Sequence, residues 1–257
     1  MNHSQIAQKY TADPEDRMLV SRVLDLANRA QSGSFYAFTD FLTPAQRGLL
    51  CTVREITALC ELRFDGGYPD AERTIGILCP RDAGYEPVLP ITVLELHTKG
   101  EALSHRDILG ALMALGIRRE KLGDIIASAN PPLMLCDEVM APYLIEQLTR
   151  AGRNSVSLKP GTPGAIPPAK TVRKTATVMS LRADSVVAEG FGLSRTRAAD
   201  LIRQGAVSLN WQPCASPSKS VAQGDRISAR GFGKFLIAEI GGQSRKGRTF
   251  IALDVYV

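Results

Sequence analysis

A run rich in proline and glycine divides this sequence into two parts of different charge. Residues 159–169 read KPGTPGAIPPA, with four prolines, two glycines and no apolar periodicity. Such a run is typical of a linker or an extended connection. The first 169 residues carry 17 Lys and Arg against 20 Asp and Glu, whereas residues 170–257 carry 14 against 6, a net charge of +8. We therefore expect at least two folded units, of which the C-terminal one is strongly basic.

The charge of the C-terminal part indicates a polyanionic partner. A net +8 concentrated in residues 170–257 is typical of nucleic-acid-binding domains. Charge alone leaves a second interpretation open, in which the surface is basic, solvated and binds nothing. The choice between the two depends on the motifs that carry the charge.

Composition and residue spacing exclude several classes of protein. With 44% apolar and 22% charged residues, the chain can bury a core and is neither disordered nor fibrous. Its apolar stretches are far shorter than the about 20 residues of a membrane span, and its N-terminus lacks the apolar run of a signal peptide. We therefore expect a cytoplasmic protein with no membrane partner. Five scattered cysteines without a C-x-x-C pair, and three histidines without metal-ligand spacing, predict reduced thiols, no metal and no cofactor.

Residues 1–73 are predicted to form a small helical N-terminal region. Apolar residues follow helical spacing over residues 14–30, where Asp13 is placed as an N-cap and Pro14 falls in the first turn. A second helix is predicted from Thr43, again with a proline in its first turn, towards residue 53.

Residues 74–160 are predicted to form a central α/β module. Strands are expected at 75–79, 91–97, 122–126, 133–136 and 155–158, and helices at 104–115 and 138–150, the first of them opened by Ser104 with Asp107 three residues on. Such a ferredoxin-like or RRM-like module could present a sheet face to RNA. Its strands, however, lack the clustered exposed aromatics that stack bases. A purely structural module is the alternative interpretation.

After a linker over residues 161–175, residues 176–257 are predicted to open with two helices. The first covers residues 181–189, and the second is capped by Ser194 and ended by Gly205. Arg195 and Arg197 fall in the first turn of the second helix, where the helix dipole disfavours positive charge by about a few tenths of a kcal/mol each. A phosphate bound at this helix start would reverse the penalty, because free N–H groups and both guanidinium groups would converge on it.

The alternative for these two arginines is a solvated surface role. Neither lies on the apolar stripe of the helix, which consists of Ala198, Leu201 and Ile202. We therefore expect folding to survive the loss of both arginines.

A strand over residues 226–230 is predicted to be basic on one side only. Period-two alternation places Arg226 and Arg230 on the same side, and Ile227 and Ala229 on the other. The basic side would match a row of phosphates. Two predicted turns add further basic residues, Lys234 in residues 231–234 and Arg245, Lys246 and Arg248 in residues 245–248.

The order of these residues closely resembles the S4-type RNA-binding domain. The resemblance rests on Arg182-x-Asp184, Ser194-Arg195-x-x-Ala198-x-x-Leu201-Ile202, Gly205-x-Val207-x-Leu209-Asn210, Pro217-Ser218 and Gly224-Asp225-x-Ile227. Over nearly the whole chain, the sequence also resembles the YlmH family. That likeness is carried by VVAEGFGLSRTRAADLI, RGFGKF and RKGR, and upstream by GGYPDAER (66–73) and LSHRDILGALMALGIRREKLGDI (103–125).

The resemblance implies an α+β fold with a small helical N-terminal part, a central ferredoxin-like or RRM-like module and an S4 domain at residues 176–257. It also implies a noncatalytic, monomeric protein that binds structured RNA, either rRNA or tRNA, on the ribosome or its large subunit. Its expected role is ribosome quality control, in the rescue of stalled large subunits. The residues expected to contact RNA are Arg182, Ser194, Arg195, Thr196, Arg197, Arg203, Gln204, Asn210, Arg226, Arg230, Lys234, Arg245, Lys246 and Arg248.

The first 169 residues lack the motifs of enzymes that carry S4 domains. The HIGH signature of a tyrosyl-tRNA synthetase is absent, and Gly66-Gly67 have no third glycine in register for a methyltransferase. A pseudouridine synthase needs a catalytic Asp in an Arg-Leu-Asp context, and no such tripeptide occurs. A pseudouridine synthase-like enzyme and a cell-division adaptor protein are the alternative functions.

Overall fold

The computed structural model describes residues 2–69, 71–81, 84–162, 166, 170–210, 212–214, 216–244 and 247–256. The chain divides into two compact units, Met1–Pro168 and Ala169–Val257. Helices and antiparallel sheets occur in both units, so the fold is α+β as predicted.

The N-terminal unit begins with four helices and a three-stranded sheet. The helices are α1 (His3–Ala7), α2 (Pro14–Gly33), α3 (Pro44–Thr52) and α4 (Arg54–Leu59); the strands are β1 (Ala37–Leu42), β2 (Glu61–Asp65) and β3 (Thr74–Cys79), in the order β1-β3-β2. The two predicted helices are present as α2 and α3. Their predicted starts are also confirmed, since the side chains of Asp13 and Thr43 accept hydrogen bonds from the backbone N–H groups of Asp16 and Gln46. This helical region also contains the strands β1 and β2, which the sequence analysis did not predict.

Strand β3 also departs from the prediction, which placed it in the central module. Every residue of β3 is buried. Leu78 packs in the helical core with α2, while Ile75 and Ile77 pack in the opposite direction, against the central module. A short apolar run predicts a buried strand but not its partners, and here the partners precede it in the chain.

The central part of the same unit is a ferredoxin-like module. It consists of β4 (Ile91–Thr98), α5 (His105–Ala114), β5 (Leu122–Ile126), β6 (Leu133–Asp137), α6 (Ala141–Gln147), β7 (Arg150–Ala151) and β8 (Asn154–Pro160), in the sheet order β5-β6-β4-β8-β7. The succession of strand, helix, two strands, helix and strand is the arrangement that the sequence predicts. The predicted helix over 138–150 is shorter, because a proline lies in the first turn of α6 and residues 138–140 form a separate 3₁₀ turn before it.

The C-terminal unit packs two helices on one face of a six-stranded antiparallel sheet. Its elements are β9 (Thr171–Val178), α7 (Ala183–Phe191), α8 (Arg195–Arg203), β10 (Val207–Leu209), β11 (Gln212–Pro213), β12 (Arg226–Ala229), β13 (Gly233–Gln243) and β14 (Thr249–Tyr256), in the sheet order β11-β10-β12-β13-β14-β9. The core between the layers contains Leu201 and Ile202 of α8 and Phe235 and Ile237 of β13.

Strand β9 corrects the predicted linker over residues 161–175. It pairs with β14 along its whole length, from Thr171 opposite Tyr256 to Val178 opposite Thr249. Its β-branched residues favour a strand, and pairing with a distant strand overrides the impression of a linker left by the preceding prolines.

Candidate nucleic-acid interface

The helix pair α7–α8, with its capping residues, positions half of the residues predicted to bind RNA. Ser194 caps α8, since its Oγ accepts a hydrogen bond of 3.2 Å from the N–H of Arg197. Gly192 and Gly205, both at positive φ, end the two helices. Because Ala198, Leu201 and Ile202 face the core as predicted, the charged residues of α8 lie on its solvent side.

Arg182 and Arg195 converge on the buried carboxylate of Asp184. Arg182 binds it with two hydrogen bonds, from Nε at 3.2 Å and from Nη2 at 3.0 Å. Nη2 of Arg195 lies 3.3 Å from both carboxylate oxygens, and the hydroxyl of Ser185 donates a further hydrogen bond at 3.3 Å. Burial alone would raise the pKa of Asp184, but the hydrogen bonds from Arg182 and the charge of Arg195 outweigh it and hold the pKa below its ordinary value.

Arg197 and Thr196 occupy the same helix turn without such an anchor. Both are exposed. Within the described part of the chain, no carboxylate forms an ion pair with Arg197. Arg195, unlike Arg197, is ion-paired with Asp184, so we expect its loss to cost a little stability although the unit should still fold. Arg197 keeps its full charge beside the positive end of the helix, where an anion would be favoured.

The C-terminal end of α8 is less available for RNA. Arg203 is ion-paired with Asp200 at 2.8 Å, one turn earlier on the same helix. Gln204 is the exposed C-cap residue, and its backbone N–H donates to the carbonyl of Asp200. Of the two, only Gln204 leaves its side chain without a hydrogen bond to another described residue.

The predicted residues on the strands lie on the other side of the sheet. In β12, Ile227 and Ala229 are buried in the core under the helices, so Arg226 and Ser228 point away from the helices. Ser228 is opposite Lys234 on β13, which carries the same outward face across the ladder. The sequence-predicted set is thus divided between a helix face and an outward sheet face.

On the outward sheet face, two cations lie beside one aromatic ring. The guanidinium carbon of Arg226 lies 5.6 Å from the centroid of the Tyr256 ring, and the ammonium of Lys234 lies 5.0 Å from it. Both distances are within the range of a cation–π contact. The sequence analysis did not predict this contact of Tyr256, because it joins residues of three different strands.

The remaining predicted residues have structural partners or lie elsewhere. Asn210, at φ +48°, bonds through its amide to Asp225 at 2.8 Å and to the backbone N–H of Arg226 at 2.9 Å. Arg248 donates to both the hydroxyl and the carbonyl of Thr177, which ties β14 to β9. Arg230 is exposed directly after β12. Two further predicted residues, Arg245 and Lys246, lie outside the described residues.

The central module does not offer an open sheet face on its middle strands. Val93 of β4 and Leu133 and Leu135 of β6 point away from the helices α5 and α6, and they pack against the three-stranded N-terminal sheet. Another sheet therefore covers the part of this face at Val93, Leu133 and Leu135, where RNA cannot lie as it does on an RRM, whereas Glu95 and His97 of β4 are partly exposed.

The GGYPDAER motif (66–73) joins the two sheets of the N-terminal unit. Its last residue, Arg73, is buried and donates to the carbonyls of Phe41, Arg119 and Leu122 at 2.8–3.1 Å. Burial, reinforced by the charge of Arg119, lowers the pKa of Arg73 to about 10. The carboxylate of Asp124 accepts from the backbone N–H of Arg73 at 3.1 Å. The presence of Arg73 in the motif is thus explained by a buried structural role.

The residues that the structure describes contain neither a candidate metal site nor a candidate membrane span. No three or more of their His, Cys, Asp or Glu residues are grouped so that they could hold a metal ion. In the same residues, no helix combines the length and the apolar character that a membrane span needs.

Family models match three consecutive parts of the chain. The model "YlmH, N-terminal" matches residues 15–82, "Putative RNA-binding domain in YlmH" matches residues 81–162, and "S4 domain" matches residues 181–227. The S4 match therefore contains α7, α8 and β10, and with them Asp184 and its ion-pair partners Arg182 and Arg195.

Two known proteins are similar to this chain. The "Ribosome-associated protein quality control protein P2" of Bacillus subtilis (strain 168) is 33% identical over 258 residues, which covers 98% of either chain. The solved structure of "Cell division protein ylmH from Streptococcus pneumoniae" is 24% identical, with a TM-score of 0.48, and the match covers 59% of this chain and 93% of that one.

Proposed function

The chain belongs to the YlmH family, and on this premise we propose that it is a noncatalytic protein that binds structured RNA on the large ribosomal subunit. The curated relative is named as a ribosome-associated protein of protein quality control. We extend that role to this chain as rescue of stalled large subunits, with rRNA or tRNA as the RNA that it contacts.

One observation carries the proposal, namely the distribution of charge at the start of α8. Three arginines, Arg182, Arg195 and Arg197, lie around this helix start, and the carboxylate of Asp184 forms ion pairs with the first two. Arg197 is exposed in the first turn of α8, where backbone N–H groups lack partners within the helix, although its own N–H donates to Ser194. This is the geometry in which a phosphate gains most from both the helix dipole and a charge-assisted hydrogen bond.

The helix face supplies the contacts of the proposed site. Arg197 and Thr196 bind phosphate directly, and Gln204 extends the contact at the other end of α8. Arg195 and Arg182 contribute charge while Asp184 fixes their position. The site contains no arrangement of nucleophile, base and oxyanion donors, and its chemistry is that of binding.

Co-sedimentation with ribosomal particles tests the proposal. Purified chain is centrifuged with 50S subunits, 30S subunits or 70S ribosomes at several salt concentrations, and bound chain is quantified. We expect binding to 50S and 70S particles, weakened by Arg197→Gln. Arg29→Gln, which removes the same charge from an exposed site on α2 in the other unit, is the matched control. Failure to co-migrate with 50S or 70S at any salt concentration would refute the proposal.

Treatment with a nuclease separates RNA binding from a protein adaptor role. If the chain binds RNA, digestion of accessible rRNA should release it from the particles. A partner that stays bound after digestion would instead support the adaptor function.

A further inference from the structure

We propose that the turn between β12 and β13 binds an unpaired base of the RNA, which stacks on the exposed ring of Phe232 beside the charge of Arg230. This site depends on the proposed RNA-binding function and specifies the class of RNA, a structured RNA that presents an unstacked base. Phe232 is a contact that the sequence analysis did not predict.

The backbone of the turn fixes the position of Phe232. Gly231 and Gly233, on either side of it, have φ values of +82° and +97°, a region that residues with a side chain rarely adopt. The N–H of Phe232 donates to the carbonyl of Ala229 at 3.0 Å and closes the turn. The ring is therefore presented by a turn of defined conformation.

The Phe232 ring is supported by the core and still open to solvent. Its centroid lies 5.9 Å from that of Phe191, the last residue of α7, with 45° between the two ring planes. The Phe191 ring lies in turn 4.9 Å from that of Phe235, which is fully buried. Phe232 nevertheless remains 41% exposed. A ring held in this way can receive a planar base with little loss of side-chain freedom.

The turn adjoins the helix pair that carries the other proposed contacts. Phe191, which supports the ring, lies only three residues before Ser194, the N-cap of α8. After α8, the carbonyl of Ala206 accepts a hydrogen bond of 2.9 Å from the N–H of Arg230, directly before the turn. Ala206 is two residues beyond Gln204, the exposed C-cap residue of α8. The turn thus extends the helix face, and one RNA can contact both.

Charge indicates that a nucleotide, and not an apolar peptide, occupies the exposed ring. Arg230 is exposed, and no carboxylate in the described ranges of the chain forms an ion pair with it. Residues 170–257 carry a net charge of +8. A second copy of this unit would add repulsion, and an apolar peptide would leave the charge uncompensated. An unpaired nucleotide brings a base for the ring together with a phosphate for the arginine.

Phe250 offers a matched comparison on another part of the same unit. It is 37% exposed, close to the value for Phe232. Its neighbours along β14, Ile251 and Leu253, are buried in the core beneath the helices, so Phe250 projects from the opposite face of the sheet. Phe250 therefore tests whether any exposed phenylalanine of this unit would have the same effect.

The test compares two fluorescein-labelled RNA duplexes of about 16 base pairs that differ only in one bulged uridine, by anisotropy with the full chain. We expect wild type to prefer the bulged duplex about fivefold or more, because a base gains that much from stacking on an aromatic ring. Phe232→Leu should bring the ratio of the two affinities to about one, whereas Phe232→Tyr and Phe250→Leu should retain the preference. Arg230→Gln should weaken binding of the bulged duplex and reduce the slope of log affinity against log salt by about 0.9.

Photocrosslinking locates the base without any substitution in the protein. The bulged uridine is replaced by 5-bromouridine, the complex with wild type is irradiated, and the crosslinked residue is identified by mass spectrometry. We expect the crosslink at Phe232, and crosslinks at other residues alone would refute the base site. This measurement decides the question even if thermal unfolding shows that Phe232→Leu does not fold.

The outcomes separate the base site from the proposed function. If wild type binds 50S subunits but does not prefer the bulged duplex, or if Phe232→Leu keeps the preference, the base site is refuted and the proposed function stands. If Phe232→Leu converts a dimer into a monomer in light scattering, the ring is covered by a second copy, and the base site is again refuted. If wild type does not bind 50S subunits, the proposed function itself fails, whatever the duplexes show.

Discussion

Replacing Arg195 and Arg197 one at a time should separate a stabilising arginine from an RNA-binding one. Arg195 ion-pairs with buried Asp184, but 57% of its side chain is exposed, so solvent screening limits the pair to about 0.5–1 kcal/mol. Removing a cation from the helix start also removes its repulsion from the helix dipole, which stabilises the unit by about a few tenths of a kcal/mol. Arg195→Ala should therefore destabilise the C-terminal unit by about 0.5 kcal/mol. Arg197→Ala, which breaks no such pair, should leave stability unchanged or slightly raised.

Arg197→Ala should weaken RNA binding more than Arg195→Ala does, which is the reverse of their order of effect on stability. A charged hydrogen bond to phosphate contributes about 1.5–3 kcal/mol, so Arg197→Ala should weaken binding about 10-fold to 100-fold or more. Arg195→Ala should weaken it less, because Asp184 already shares its guanidinium. Thermal unfolding gives the stability of each variant, and quantitative co-sedimentation with 50S subunits at fixed salt gives its affinity.

Leu201→Ala is the control for damage to the fold. Leu201 is buried in the core of the C-terminal unit, and its truncation should cost about 2–5 kcal/mol. The reasoning is refuted if Arg197→Ala lowers stability as Leu201→Ala does, with RNA binding reduced only in proportion. Arg197 would then be structural, and the assignment of the helix face would be wrong.

Three further predictions concern stability. Because the pKa of Asp184 is lowered in the folded state, its contribution should be complete above about pH 4 and be lost as pH falls further; the stability difference between wild type and Asp184→Asn should shrink in acid melts. Gly190→Ala should destabilise the C-terminal unit by about 1–3 kcal/mol, since the added Cβ would lie 2.1 Å from the Phe235 ring. Gly110→Ala in α5 meets no atom within 4 Å and should stabilise the N-terminal unit by about 0.5–1 kcal/mol. The melting temperatures of the two variants test both expectations. Arg73→Lys should lower the unfolding free energy of the N-terminal unit by about 2–4 kcal/mol in denaturant titrations, because one ammonium cannot reproduce the guanidinium bonds to three carbonyls, and an unchanged midpoint would contradict the structural role of Arg73.

Local chemistry explains which elements could be predicted from the sequence. The sequence correctly predicted the N-caps Asp13, Ser104 and Ser194. An N-cap depends only on a side chain and the backbone N–H groups within one helical turn of it. The apolar stripe of α8 was likewise readable, since burial of one helix face imposes a period of 3.6 residues.

Pairing between distant residues explains what could not be predicted. Strand β9 is stabilised by pairing with β14, more than 70 residues further along the chain. The sequence of residues 171–178 does not indicate which strand it pairs with. The same holds for Asp184. Its spacing from Arg182 is visible in the sequence, but its contact with Arg195 depends on how α7 and α8 pack. Without that packing, Arg195 and Arg197 look equivalent.

The arrangement of the two sheets in the N-terminal unit restricts how the central module can act. In an RRM, RNA lies on the middle strands of the sheet, on the side away from the helices. Here that side of β4 and β6 is occupied by Val93, Leu133 and Leu135 in contact with the N-terminal sheet. Freeing it would expose this apolar interface to water, at a cost of about 25 cal/mol for each Å² uncovered. An RNA contact on this side of the module must therefore use positions away from Val93, Leu133 and Leu135, such as the exposed Ser157 and Lys159 of β8, where the outward side chains are polar.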